Sequence, residues 1–189
     1  ISVMEAVKLF DIKNVNKTSA TFDLKKLDWI NNQYLKDADP EKLADELIPL
    51  LKAKNYINQD SFDRGYLLVL VKLFQARLPR LNDFVEWADF FFLEEPVIDP
   101  AAKEKYSMGD LSKEFSLFAQ RLDTLDCFDI VNIEASFREL VADLGIEAKK
   151  LIHPVRVALT GKTIGPGLFE VIYYLGKERS RLRLLKWVK

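Results

Sequence analysis

Apolar residues recur at helical spacing along almost the whole sequence. One such stripe consists of Leu43, Leu47, Leu50 and Leu51, and Asp39-Pro40 stands directly before it. Proline at the first position of a helix loses no hydrogen bond, so this dipeptide is a strong start signal. No stretch alternates with period two for long enough to need a sheet. The sequence therefore predicts an all-α fold.

Local signals predict where the helices begin and end. Ser2 and Glu5 have the spacing of a capping box, and Asp23 can cap the helix that follows it. A long apolar helix is predicted from Ser61 to Arg77, ended by Pro79. One short helix is predicted to carry Phe84, Trp87 and Phe91. Further helices are predicted near 109–122, 133–144, 148–160, 167–175 and 177–187, with left-handed caps at Gly145 and Gly176. Pro96 and Pro100 bracket a predicted linker between two small helical domains.

Composition limits the class of protein. A chain of 189 residues that is 49% hydrophobic can bury a core, and 7 Gly with 7 Pro argue against disorder. No apolar run approaches the roughly 18 to 20 residues that cross a bilayer, and the first residues do not resemble a signal peptide. The single cysteine excludes an internal disulfide and suits a reducing, cytoplasmic location. Because the chain begins with Ile1, we expect it to be a piece of a longer protein.

The net charge of −1 hides an uneven distribution. Residues 149–189 hold ten Lys and Arg against two acids, Glu170 and Glu178. A basic end on an acidic body is expected of a protein that places one face on a polyanion. A solvated amphipathic terminus is the alternative interpretation.

Residue types that carry catalysis are sparse. His153, the single histidine, precedes Pro154 at a predicted helix start and is expected at the surface, while Cys127 is expected to be a buried, inert thiol. Gly161-Lys162-Thr163 lacks the upstream glycine of a phosphate loop. A stand-alone enzyme is the least favoured hypothesis.

Three arginines lie on predicted helices, at Arg77, Arg138 and Arg156. Spacing alone favours ordinary helix-surface arginines. A guanidinium can, however, make two parallel hydrogen bonds to a base edge or a phosphate.

Four segments near the C-terminus form a longer pattern: Pro154-Val155-Arg156, Ala158–Gly161, Pro166–Glu170 and Leu175–Arg179. The pattern resembles the P-L-R-x-A-L-T-G…PGLFE…LGKER sequence of bacterial-type glutamyl-tRNA synthetases, with valine in place of the commoner leucine. Residues 22–31 resemble a second segment of that family, FD-x-x-KL-x-W-x-N, from the region that contacts the tRNA stem.

The resemblance implies an organisation and a set of site residues. It divides the chain into the end of a stem-contact region (1–37) and two helical anticodon-binding domains (38–96 and 97–189). It places Arg77, Arg138 and Arg156 at the anticodon, with Arg77 at the third base and Arg80 as the alternative if the alignment slips. It also implies that the Pro166-Gly167-Leu168 loop packs its leucine against an anticodon base.

The resemblance also implies a function. The parent enzyme would attach glutamate to tRNA with ATP and Mg²⁺, but its class I signatures do not occur in this sequence. The chain would then bind tRNA(Glu) as a monomer, without cofactor or catalysis, and with no DNA or membrane partner. Whether tRNA(Gln) is also bound stays open. The basic tail from Lys177 to Lys189 is expected to attract phosphates. The alternative is a helical protein–protein interaction module with a basic C-terminal docking surface.

Overall fold

The computed structural model of the chain describes residues 1–15, 21–58, 62–106 and 110–187. Within these ranges it consists of α-helices, turns and one 3-10 helix, with no strand, which confirms the all-α prediction. The 3-10 helix is Ile12–Asn14. The α-helices are α1 (Val3–Leu9), α2 (Leu24–Asp37), α3 (Pro40–Ala53), α4 (Arg64–Gln75), α5 (Asp83–Trp87), α6 (Asp89–Phe92), α7 (Pro100–Tyr106), α8 (Ser112–Thr124), α9 (Ile130–Asp143), α10 (Ala148–Thr160), α11 (Leu168–Leu175) and α12 (Lys177–Trp187).

The predicted N-caps of α1, α2 and α3 are all present. Ser2 and Glu5 form a reciprocal capping box. The carboxylate of Asp23 accepts hydrogen bonds from two backbone N–H groups of the first turn of α2. Asp39 caps α3, which begins at Pro40 as predicted. Each cap satisfies donors that have no partner inside the helix.

Several boundaries differ from the predicted ones. Helix α4 begins at Arg64 after its cap Asp63 and ends at Gln75, so Arg77 lies in a turn; Ser61 is outside the described residues. The single short helix expected around residues 84–91 is two helices, α5 and α6, which meet at Ala88. The predicted start at residue 109 also lies outside the described residues.

Glycine caps follow the prediction in part. Gly145 has φ +64°, a left-handed conformation that glycine adopts without a clash because it has no Cβ. Gly176 has φ 90° and ψ 154°, so it does not adopt the left-handed helical conformation that was predicted. The left-handed cap in this region is Gly161, at the end of α10.

One contiguous cluster of buried apolar side chains runs from Leu35 in α2 to Leu184 in α12. Its centre is aromatic: the ring of Phe74 meets Phe84 edge-on at 5.6 Å and Phe91 at 6.2 Å. Phe118 and Phe137 pack in the same way between α8 and α9, at 5.2 Å. These rings bury large apolar areas, which is the main stabilising term for a helical fold of this size.

Buried arginines of α12 hold the ends of other helices. The Arg183 side chain is 6% exposed and donates to the carbonyl oxygens of Leu159 (2.6 Å), Phe90 (2.9 Å) and Leu93 (2.7 Å). Arg179 donates to Phe91 and again to Leu93. Burial lowers the pKa of Arg183 to about 10, so the side chain stays a cation at neutral pH. These bonds join α6 and α10 across the predicted linker; the division into two domains stays a prediction.

Helices α1 and α2 are much less buried than the rest. In the described part of the chain, α1 buries none of its residues and α2 buries Leu35. No helix among the described residues is long and apolar enough to cross a membrane.

Candidate nucleic-acid interface

The loop that follows α10 folds back against Arg156, one of the predicted arginines. Helix α10 ends with Gly161 at φ +74°, where an added Cβ would lie 2.0 Å from the carbonyl oxygen of Val97. The chain then returns through Gly165 and Pro166 to the start of α11. Arg156, one turn before the end of α10, donates from Nη1 to the Pro166 carbonyl oxygen at 2.6 Å. The arginine and the loop thus form one local unit, and their contact was not predicted.

Arg77 lies next to this unit although it comes from a different helix. It follows α4 and donates from Nη1 to the carbonyl oxygen of Leu73 at 2.9 Å. Burial, and then the nearby positive charge of Arg77, lower the pKa of Arg156 below its ordinary value. The charges of Arg77 and Arg156 are therefore near enough to affect each other. A region that carries two positive charges favours an anion or an oxygen-rich ligand.

The alternative arginine of the same turn is engaged elsewhere. Arg80 forms a two-pronged ion pair with Asp28 of α2, with Nε–Oδ1 and Nη2–Oδ2 distances of 2.9 and 3.3 Å. The bidentate geometry matches the guanidinium fork to the carboxylate. Arg77 thus lies beside Arg156, and Arg80 faces α2.

Arg138 lies on the exposed surface of α9. Its side chain pairs with Glu134, one turn earlier in the same helix, with an Nε–Oε1 distance of 2.7 Å. The structure does not bring Arg138 into contact with Arg77 or Arg156 among the described residues. An exposed i,i+4 pair contributes little to stability, so this guanidinium can exchange its partner for a phosphate at small cost.

The Pro166-Gly167-Leu168 loop is more buried than the resemblance implied. Pro166 is buried, and Leu168 is 4% exposed and belongs to the core cluster. Gly167 lies under the carboxylate of Glu170, which accepts from its backbone N–H at 2.9 Å. The contact of Leu168 with a base stays a prediction. The apolar side chain that the loop exposes is Ile164, at 68%. Ile164 was not predicted as a site residue. The sequence feature that could have indicated it is a branched apolar residue within a segment of Gly, Thr and Lys.

The same loop is tied to the preceding part of the chain. Lys162 Nζ lies 2.7 Å from an Asp89 carboxylate oxygen, and Asp89 is buried. A buried ion pair fixes geometry more than it adds stability. This pair was not predicted, since Asp89 is remote in sequence from Lys162.

Several basic residues of the tail make contacts within the molecule. Arg179 and Arg183 point into the molecule, and Lys177 Nζ donates to the carbonyl oxygens of Asp123 and Leu125, both at 3.0 Å. Arg181 pairs with Glu178 on its own helix, and Lys186 with Glu95. Helix-end carbonyls take up donors of Arg179 and Arg183, and attraction of phosphates by the tail stays a prediction.

Two further residues complete the comparison with the predictions. Cys127 is exposed, not buried, and its thiol lies 3.1 Å from an Asp129 carboxylate, which raises the pKa of the thiol. His153 is exposed as expected but stands within α10, not at its start, and stacks on Tyr106. The described residues contain no group of three or more His, Cys, Asp and Glu that could hold a metal ion.

Comparisons with known proteins agree with the motif pattern. A family model described as an anticodon binding domain matches residues 42–188. Glutamate–tRNA ligase 1 of Caldanaerobacter subterraneus is 32% identical over 191 residues, which cover 99% of this chain and 39% of that ligase. The Bacillus subtilis glutamate–tRNA ligase is also 32% identical, over 94% of this chain and 37% of its own.

Solved structures give the same result. A crystal structure of a glutamate tRNA ligase from Elizabethkingia meningosepticum superposes with a TM-score of 0.80 at 26% identity, covering 100% of this chain and 36% of that one. The chain thus spans less than two fifths of the length of these relatives. The chain belongs to the anticodon binding domain family, and the relatives that it matches are glutamate–tRNA ligases.

Proposed function

We propose that this chain binds tRNA(Glu) and reads its anticodon, as the recognition part of a glutamate–tRNA ligase. The observation that carries the proposal is the hydrogen bond that holds Arg156 against the Gly165-Pro166 turn, with the positive charge of Arg77 nearby. Family membership and the ligase relatives support tRNA as the class of ligand.

The chemistry of the site fits an unstacked RNA loop. A guanidinium carries five N–H donors, and the bonds of Arg77 to Leu73 and of Arg156 to Pro166 use one donor each among the described residues. The remaining donors can meet base edges and phosphates, which single-stranded loops present together. Exposed Ile164 adds an apolar surface beside them. In this proposal Arg77 reads the third anticodon base, while Arg138 binds a phosphate after leaving Glu134.

The ligation reaction belongs to the rest of the parent ligase. ATP would activate the glutamate carboxyl group there, with Mg²⁺ neutralising its phosphates. The described residues of this chain do not fit either group, since they offer no metal-binding cluster and Gly161-Lys162-Thr163 caps α10 as a turn. We therefore expect the isolated chain to bind tRNA without ligating it. A monomeric state and a cytoplasmic location also stay predictions.

The protein-interaction alternative is less well supported. It needs α12 to offer its basic residues to an acidic partner, but several of those residues bond to the chain's own backbone. The exposed apolar residues of α1 and α2 do not support this alternative either, because they belong to the opposite end of the sequence from the basic helix α12.

A titration tests the proposal. The isolated chain is titrated at fixed moderate salt with tRNA(Glu) and with a version whose third anticodon base is changed from C to G. A good bidentate base contact discriminates by about 10- to 150-fold, so binding should weaken by about tenfold or more. Equal binding to both would indicate that the chain binds tRNA without recognising the third anticodon base. No binding by the folded chain would favour a protein partner.

Variants assign the reading to a residue. Arg77→Gln should bring the two affinities together without abolishing binding, because phosphate contacts remain. Arg181→Gln is the matched control, since Arg181 pairs with Glu178 on the surface of α12. A uniform loss over both tRNAs in Arg77→Gln would contradict its role as a base reader.

A further inference from the structure

Side chains of α2 hold the backbone turn that carries Arg77. Asn31 Nδ2 donates to the carbonyl oxygen of Pro79 at 2.5 Å, and Asn32 Nδ2 donates to that of Leu78 at 2.8 Å. These carbonyls follow the end of α4, where helical hydrogen bonding has stopped. The two amides therefore supply donors to the backbone carbonyls that directly follow Arg77.

The arrangement is reciprocal. Gln75, the last residue of α4, is buried, and its Nε2 donates to the carbonyl oxygens of Leu35 (2.7 Å) and Ala38 (2.8 Å) at the end of α2. Each helix end is thus capped by amide side chains of the other helix. The Arg80–Asp28 pair adds a charged contact to the same two segments.

The contact fixes the backbone at Arg77 rather than its side chain. Leu78, next in sequence, is 1% exposed and anchors the turn in the core. The Arg77 side chain is exposed and bonds to its own helix. Where the guanidinium lies relative to Arg156 therefore depends on where α2 holds the turn. A small displacement of a bidentate donor is enough to remove its discrimination between bases.

We propose that Asn31, Asn32 and Gln75 are positioning residues for base discrimination, which act by holding the turn that carries Arg77. The inference rests on the proposed function, since it needs Arg77 to be the residue that reads the third anticodon base. It assigns to α2 a part in anticodon reading although α2 itself need not touch the anticodon.

Carboxylate substitutions test the proposal. Asn32→Asp and Asn31→Asp keep the shape of the side chain but remove the donor, because an ionised carboxylate only accepts hydrogen bonds. Asn82→Asp is the matched control: it adds the same charge in the same region, and Asn82 makes no side-chain cap bond among the described residues. Each variant is titrated with tRNA(Glu) and with the third-base C-to-G version, and thermal unfolding shows that it is folded at the assay temperature.

The expected result is a loss of discrimination that exceeds the loss of affinity. In Asn32→Asp the ratio of the two affinities should fall from about tenfold or more to within about threefold, while Asn82→Asp keeps the wild-type ratio. Adding Asn32→Asp to Arg77→Gln should change the ratio no further, because both act through the same side chain. Asn32→Gln, which retains a donor, should recover part of the ratio.

Three outcomes would overturn the inference. Folded Asn31→Asp and Asn32→Asp variants that keep the wild-type ratio would show that α2 does not position the reader. A further fall in the Arg77→Gln background would show that Asn32 acts by another route. A wild-type chain that binds tRNA without discriminating at the third base would remove the proposed role of Arg77, and the inference with it.

Discussion

Helices α1 and α2 are the same kind of helix as α3 to α12, but their apolar faces differ in what they touch. Ser2 and Asp23 cap α1 and α2 as completely as Asp39 caps α3. Yet Val7, Phe10 and Trp29 are exposed, whereas Leu47 and Leu51 of α3 are fully buried. Capping is a local property of a few residues, and burial depends on what else is present to pack against.

The comparison separates two sources of helix stability. In α3 to α12, a core that extends to Leu184 holds the helices together, and the caps only refine their ends. In α1, the capping box and the local sequence carry the helix by themselves. Isolated short helices are marginal in water, so α1 should contribute little to the free energy of unfolding.

The largest expected effect is at Arg183. Replacing Arg183 with alanine removes its hydrogen bond to the Leu159 carbonyl oxygen. It also leaves the carbonyl oxygens of Phe90 and Leu93, to which Arg179 donates too, with one donor fewer. Breaking such a buried charged contact should lower the free energy of unfolding by about 3–5 kcal/mol, measured by urea denaturation. Arg181→Ala on the same helix is the control and should change little. Equal losses in the two variants would contradict a special role for the buried cation.

A pair of leucines tests the comparison directly. Leu47→Ala creates a cavity in the core and should cost about 2–5 kcal/mol. Leu9→Ala removes an exposed side chain of α1 and should change the free energy of unfolding by less than about 0.5 kcal/mol. The same denaturation series measures both. A large loss in Leu9→Ala would show that α1 is packed against the rest of the chain in solution.

The N-caps should divide in the same way. Asp39→Ala removes the cap of α3, which is part of the core, and should lower the free energy of unfolding by about 1 kcal/mol. Ser2→Ala should leave that free energy unchanged and reduce only the helical signal of the amides in α1, which NMR chemical shifts report. A global loss in Ser2→Ala would again place α1 inside the cooperative unit.

The last effect is a dependence on alkaline pH, which is absent at neutral pH. Tyr66 donates to the Tyr174 carbonyl oxygen, and burial raises its pKa from 10.0 to about 12. The folded state therefore keeps a proton that the unfolded state releases, so this contribution is complete below pH 10 and is lost as the pH rises towards 12. Tyr66→Phe should make that decline shallower in urea midpoints taken across the range. Tyr34→Phe, on the exposed face of α2, is the control, and an equal change in both would contradict the assignment.

The features that sequence predicted best are local ones. The caps at Ser2, Asp23 and Asp39 and the bounds of α10 depend on residues a few positions apart, so spacing alone was sufficient. The ends of α4 were less well predicted, because Gln75 is held by the end of α2, and nothing near residue 75 shows this.

The sequence predicted which residues belong to the site better than it predicted how they are arranged. Motif resemblance named Arg77 and Arg156, but where they lie relative to each other depends on tertiary packing, which periodicity does not describe. The count of basic residues did not show that Arg179 and Arg183 face inwards. A basic residue of a terminal helix can donate to backbone carbonyl oxygens inside the molecule. Cys127 was misplaced for a similar reason: its apolar neighbour Phe128 does not determine the direction of its own side chain.

The close approach of Gly161 to Val97 has a consequence for engineering this chain. The Asp99 backbone N–H also donates to the Gly161 carbonyl oxygen at 2.9 Å, so residues 97–99 lie directly against the end of α10. A sensor or tether inserted into this proline-flanked stretch would break these backbone contacts. It would therefore displace the end of α10, and Arg156 with it. Insertions are tolerated where backbone is exposed and unbonded. The segment that looks most like a joint in the sequence is therefore a poor place to cut.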